Sequence, residues 1–383
     1  MSNDYFFNDQ VHGEVAEAIA DCRFDPGMMR PYITRSGHKC VTVNTGRTRY
    51  DEKTKQTVPV FEQRLIRDLV YNGQTSPVLN ATSLRKDEWL QLDTQVVMAA
   101  RSRLRAWRDL EQANTYGGFN AMAKMVLEHE TMSDPGEAMV DMDGLAEGHG
   151  DSPKYQLEGL PLPITHADFH FGKRRLEVSR NSGTPLDSAM AEAAGRRVAE
   201  TIEKTLIGAV TGVTYGVASN YGRTPTVYGY TNFSSRVTKT DMTAPTGSNG
   251  TTILSDWLAL RQLMYDANFF GPFMAYVSND WDNHLDNLFS TTEPSAGTLR
   301  SRLLQIDGIR DIRRLDYLTD TYTVLLVQMT SDVARAINGM DITTVQWESR
   351  GGMQINFKVM AIKVPQLRAD FNGNCGIGHG TTA

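Results

Sequence analysis

Between Leu84 and about Gln112 the apolar residues Trp89, Leu92, Val96, Ala100, Leu104, Trp107 and Leu110 recur at spacings of three and four. That spacing lines one face of a helix, and Asp87 and Glu88 in its first turn with arginines towards its end match the helix dipole. Tyr116-Gly117-Gly118 ends it, a second short helical pattern covers 120–130, and Asp134-Pro135-Gly136 marks a turn. The period then falls to two. Ala138, Val140 and Met142 alternate with polar residues, a Gly-rich acidic tip covers 145–153, and the chain returns through 160–171. On the return, Thr165, Ala167, Phe169 and Phe171 share one face, and His166, Asp168 and His170 share the other. This predicts a long two-stranded finger. An isolated hairpin of that length is marginal in water, so its apolar face is expected to lie on another surface.

Thr184-Pro185-Leu186-Asp187 carries the cap, the Pro and the acid that open a helix. Leu186, Met190, Ala194, Val198, Ile202 and Leu206 then recur every fourth residue to Gly208, a spine of about 35 Å, with Glu192–Arg196 and Glu200–Lys204 as exposed pairs. A turn-rich connector fills 210–252. From Ile253 onward helical patterns at 255–268, 280–289 and 298–305 alternate with strands at 273–277 and 322–329. A hairpin follows, pivoting on Gly351-Gly352, with an outer strand over 353–364. The Gly-rich tail 371–383 shows no core of its own. Residues 1–82 are polar, with one brief extended run at 40–44, and read as an arm that borrows its core from elsewhere.

Composition narrows the function classes. The 383 residues include 39 Lys plus Arg against 45 Asp plus Glu, a net charge of −6, and are 40% hydrophobic. A large core is therefore available, and the balance argues against a dedicated nucleic-acid binder, which concentrates basic residues. No window approaches the ~20 apolar residues of a membrane span. The start lacks the layout of a secretory signal, so folding in a cytoplasm is expected. Cys22, Cys40 and Cys375 are too few and too scattered for a disulfide framework.

No catalytic constellation emerges. Ser36-Gly37-His38-Lys39 fits S-x-x-K, but the partner motifs of a penicilloyl serine enzyme are missing. His166 and His170 would stand about 13 Å apart on a strand, too far to share an ion. Cys375 with His379 lacks further ligands. The pairs Asp141–Asp143 and Asp280–Asp282 come without a nucleophile, a base and an oxyanion donor in one neighbourhood. The reading is of no catalytic residue, no cofactor and no metal.

The order of parts, an arm, a helix, a finger, a long spine helix, a mixed domain and a return strand, resembles the major capsid protein of tailed phages, the Hong Kong ninety-seven type fold, in its encapsulin-like branch. The residues carrying the resemblance are Leu84 to Asp93, Pro161-Leu162-Pro163-Ile164 through Phe169, and Arg180. With them go Thr184-Pro185-Leu186-Asp187 and the Ala-rich helix to Leu206, Ile306-Asp307-Gly308-Ile309, Val324 to Gln328, and Thr344 to Glu348. The resemblance covers about 84–370 and implies an α+β fold. Its parts are an extended N-arm at 1–83, N-terminal helices packing on the P-domain at 84–133, and an E-loop at 134–173. A P-domain with spine helix and connector follows at 174–252, an A-domain at 253–343, and P-domain return strands with the C-terminal tail at 344–383.

In function it implies a self-assembling icosahedral head shell around a double-stranded DNA genome, made in the bacterial host cytoplasm and located in the virion. The partners implied are further copies in hexamers and pentamers, a separate scaffold, a portal, optionally a decoration protein, and packaged DNA contacted nonspecifically, with no membrane. Phe169, Phe171, His166 and His170 are the candidate inter-subunit contacts. The arm before the first family helix favours a phage coat over an encapsulin-type cargo shell. An enzyme with an unrecognised site in the C-terminal domain is the distant alternative.

Overall fold

A computed structural model of the protein describes residues 32–33, 39–51, 56–65, 70–71, 74–75, 86–133, 140, 142–143, 152, 154–175, 178, 189–210, 213–216, 221, 224–290, 297–370 and 372–382. Ser36 to His38 of the S-x-x-K match, the helix-opening Thr184 to Asp187 and most of the finger tip lie outside them.

The N-terminal region holds more strand than its sequence pattern suggests. Strands β1 (Tyr32–Ile33), β2 (Lys39–Asp51) and β3 (Gln56–Leu65) form an antiparallel sheet, and β4 (Val70–Tyr71) pairs with β5 (Gln74–Thr75). Only 40–44 was expected to be extended. Strand formers such as Val41, Thr42, Val43, Val58 and Val60 sit among Arg, Gln and Asn, which breaks the alternation while leaving β propensity intact.

The expected helix over 84–112 is two helices, α1 (Lys86–Arg103) and α2 (Ala106–Ala113), because the chain breaks at Leu104 and Arg105. After β6 (Thr115–Gly117) the expected helix at 120–130 is only a 3-10 turn (Ala121–Ala123), followed by strand β7 (Val126–Met132), paired antiparallel with β8 (Tyr155–Pro161) from Val126↔Pro161 to Met132↔Tyr155. The finger thus starts earlier and its paired base ends earlier than the expected 134–173. Pro161 and Pro163 interrupt the return strand, since proline donates no ladder hydrogen bond. Beyond them β9 (Thr165–Gly172) changes partner.

The spine is α3 (Ala189–Ile207). Its buried row Ala191, Gly195 and Ala199 admits α1 at close range, and a Cβ at Gly195 would stand 2.7 Å from the Val96 carbonyl oxygen. Its other flank lies on the four-stranded sheet β6-β14-β15-β9, built from β14 (Ala334–Ser349) and β15 (Gln354–Leu367) around the expected glycine turn. Gly351 and Gly352 have φ of 64° and 80°, conformations that glycine adopts without a Cβ penalty.

The second sheet has the order β10-β16-β13-β11-β12, from β10 (Arg236–Met242), β11 (Phe273–Val277), β12 (Ile309–Arg314), β13 (Val324–Gln328) and β16 (Cys375–Thr382). Helix α4 (Gly250–Asp266) covers one face with Trp257, Leu260 and Met264. Strand β16 departs from the expectation of a coreless tail grouped with the return strands. It lies between β10 and β13, and its residues Cys375 to Gly380 are buried. Gly376, Gly378 and Gly380 share one face, where a Cβ at 376 would stand 2.6 Å from Val333 Cγ2 and one at 378 would stand 3.0 Å from Met264 Sδ. The glycines are the space into which those neighbours pack.

Candidate assembly surfaces

Phe169 and Phe171 do not face outward. They are 4% and 5% exposed, inside the core that includes Val198 and Ile202 of the spine. Phe169 stacks on Phe357 with ring centroids 5.0 Å apart and planes 10° apart, and Phe171 meets both rings edge-on at 5.6 and 5.7 Å. The expectation of an uncovered apolar face is therefore corrected. It treated β9 as half of an isolated hairpin, whereas β9 pairs with β15 from Thr165↔Ala361 to Gly172↔Gln354, and that sheet is roofed by α3.

His166 and His170 lie on the opposite, solvent face of β9. His166 Nδ1 is 3.4 Å from Asp168 Oδ1, and Asp168 Oδ2 is 3.6 Å from Lys358 Nζ, whose ammonium stands 5.8 Å from the Trp347 ring centroid. The strand brings these groups into one polar patch and leaves the two histidines apart.

Among the described residues, the finger offers an uncovered apolar surface. Met132, Tyr155 and Leu157 share one face of β7–β8, at 55%, 63% and 38% exposure, and Val140 and Met142 beyond them are fully exposed. Sequence periodicity missed this face because the finger was placed several residues too late.

Two of the other candidate groups, Asp282 and His379, have structural partners, and Asp141 lies outside the described residues. Asp282 Oδ2 lies 2.6 Å from the Arg314 guanidinium. His379 Nδ1 accepts a 3.1 Å hydrogen bond from Arg236 Nε, and burial, reinforced by the Arg236 charge, pushes the imidazole down to about 4. It is neutral at pH 7. Burial pushes the Cys375 thiol well up, so it is an inert core thiol. Among the described residues no three His, Cys, Asp or Glu side chains gather as a metal site would require, and no helix is long and apolar enough to cross a membrane.

A buried polar junction joins the two sheets' domains. Glu203 of α3 accepts the backbone N–H groups of Arg105 (3.3 Å), Ala106 (2.6 Å) and Trp107 (3.1 Å). These are the first donors of α2, which is why one periodic stretch folds as two helices. Three residues on, Asp109 accepts from Tyr276 Oη of β11 at 3.1 Å and pairs with Arg313 of β12. Burial raises the Asp109 carboxyl above its ordinary value although Arg313 opposes the shift. The available signal for Glu203 was its place in the row Ala191, Gly195, Ala199, where a carboxylate interrupts small residues.

No curated protein matches the chain in sequence. Among solved structures it is similar to a virus-like particle from Pyrococcus furiosus, at 16% identity and a TM-score of 0.50 over 73% of this chain and 94% of that one. It is also similar to the capsid of Myoviridae phage XM1, at 10% identity and a TM-score of 0.52 over 68% and 86%. The α+β fold is therefore the Hong Kong ninety-seven type that the sequence resembles. In sequence, a family of unknown function, DUF6260, matches residues 80–380, and because that match spans most of the chain, the protein belongs to this family.

Proposed function

We propose that the protein is the major capsid protein of a tailed bacteriophage, assembling through hexamers and pentamers into the icosahedral head that encloses double-stranded DNA. The observation that carries this reading is the finger. A shell-type fold has a two-stranded projection whose Met132, Tyr155 and Leu157 face is left partly open to solvent among the described residues. Each such side chain gains about 1.5 to 3 kcal/mol when fully buried, and a closed symmetric assembly repeats that gain in every copy. The role is structural: the fold is that of shell proteins, and the candidate groups His379 and Asp282 are engaged in packing and an ion pair. The polar patch of His166 and His170 is the second surface offered to neighbours. A separate scaffold, a portal and a decoration protein complete the partners, and the net charge of −6 suits a wall that contains DNA without gripping it.

Sedimentation tests the reading. The wild type should form megadalton particles, alone or with its scaffold. The double substitution Met132→Ser with Tyr155→Ser, at the two positions of β7–β8 on this face most open to solvent, should shift subunit stability by no more than ~1 kcal/mol and leave free subunits. Closed particles from the double variant would remove the finger from the contact. A wild type that stays monomeric or dimeric with its scaffold would end the capsid reading. The likeness to the Pyrococcus particle supports a second reading, a small cargo shell of the encapsulin type.

A further inference from the structure

The charge of this chain is unevenly distributed. Between Met132 and Lys154 stand Asp134, Glu137, Asp141, Asp143, Glu147 and Asp151 with no Lys or Arg, so this segment alone carries the −6 of the whole protein. Its Val140 and Met142 are fully exposed. A cationic corner lies elsewhere, at one end of the four-stranded sheet. Lys173, Arg174 and Arg175 follow β9 there, and Arg350 opens the turn between β14 and β15. The Lys173 N–H donates to the Met353 carbonyl at 2.9 Å, and the Met353 N–H donates to that of Arg350 at 3.3 Å, which holds the two stretches side by side. Arg174, Arg175 and Arg350 are exposed. Among the described residues, no carboxylate lies within ion-pair distance of Lys173, Arg174 or Arg350. Asp168 is engaged with Lys358 and His166, and the turn itself contains a single carboxylate, Glu348, beside Gly352.

We propose that this corner of Lys173, Arg174, Arg175 and Arg350 is the docking site for the acidic finger segment of a second copy of the chain. That the partner is a second copy rests on the shell reading above. The charges are complementary, and the apolar groups match as well: Met353 is 62% exposed among the cations, as Val140 and Met142 are among the acids. Duplex DNA would supply negative charge but nothing for Met353 to cover. The placement also suits a contact between copies. The finger leaves the subunit at the C-terminal end of β15, where Arg368 Nη2 donates to the Glu130 carbonyl and His129 and Glu158 share a pocket with Gln366 and Leu367. The corner flanks Gln354 at the other end of that strand, about 40 Å away at roughly 3.3 Å per residue. A projection at one end and its receptor at the other make a head-to-tail contact, the kind that closes into rings when the rotation between copies allows.

Charge exchange in the full-length protein tests it. Arg174→Glu with Arg350→Glu, and separately Glu147→Lys with Asp151→Lys, should melt as the wild type does and lower the yield of particles by about tenfold or more, because like charges then meet. The quadruple variant, with both sides reversed, should recover particles. Wild-type yield from either double variant, or no recovery in the quadruple one, would overturn the docking. A second measurement needs no assembly. A synthetic peptide of residues 132–154 should bind free wild-type subunits, weaken about tenfold from about 50 to about 300 mM salt, and lose its binding to Arg174→Glu with Arg350→Glu. Wild-type subunits that bind the peptide but form no particles would end the shell reading and uphold the corner. No peptide binding, or a corner that takes a short DNA duplex in preference to the peptide, would overturn it.

Discussion

Phe169→Asp should unfold the subunit. The ring is 4% exposed, stacked on Phe357 at 5.0 Å and edge-on to Phe171 at 5.6 Å, beneath the spine helix. Removing it forfeits about 1.5 to 3 kcal/mol of burial, and a carboxylate left there without a partner adds a desolvation cost of several kcal/mol more. Against a total stability of roughly 5 to 15 kcal/mol, that sum removes most of the margin. Thermal and urea melting should show an early, aggregating transition. His170→Asp, one position away on the solvent face, should change stability by less than ~0.5 kcal/mol. A Phe169→Asp subunit that melts like the wild type but fails to assemble would place the ring between subunits after all.

A chain ending at Asp370 should lose the second sheet. It lacks β16, which separates β10 from β13 and is the sheet partner of both. Without it β10 has no ladder, and one whole edge of β13, whose five residues are all buried, is left unpaired. Buried backbone N–H and C=O groups without partners each cost about 1 to 3 kcal/mol. The loss over several residues exceeds what a domain of this size has to spare. Limited proteolysis should cut rapidly within 253–330 and spare the α3 region. A truncated chain that resists protease and melts cooperatively at the wild-type temperature would show β16 to be dispensable.

These two cases also show where sequence reasoning stopped. The spine helix, α4, β11, β13 and the turn at Gly351-Gly352 were legible because each carries a clean period or an obligatory turn residue. Strand β16 was not, because a strand of alternating glycines has no apolar pattern. Its burial comes from Met264, Val333 and Met242, residues far away in sequence. The sequence places the finger too late, since the choice of partner at Pro161 to Pro163 depends on β15, which begins only at Gln354. The face of Phe169 was read correctly as apolar and wrongly as uncovered for the same reason. Glu203 was overlooked because, on a helix facing two layers, a stripe defined every fourth residue from Leu186 omits the neighbouring row that is equally buried.

The order of parts carried further than any local pattern, because the fold is set by which segments are long, apolar and separated by turns. It could not supply the side-chain partners at the junction of Glu203, Asp109, Tyr276 and Arg313, which come from four separate elements. Such contacts are where a subunit of this fold becomes particular to its own sequence.

The central claim, that this chain closes into shells, is tested most directly by electron microscopy of the protein expressed with and without its scaffold. The account predicts closed icosahedral particles built of hexamers and pentamers, with the β7–β8 finger of each copy lying on a neighbour. A head large enough for a phage genome would favour the coat over a small cargo compartment. Discrete small oligomers under both conditions, with the Met132, Tyr155 and Leu157 face open to solvent, would contradict it.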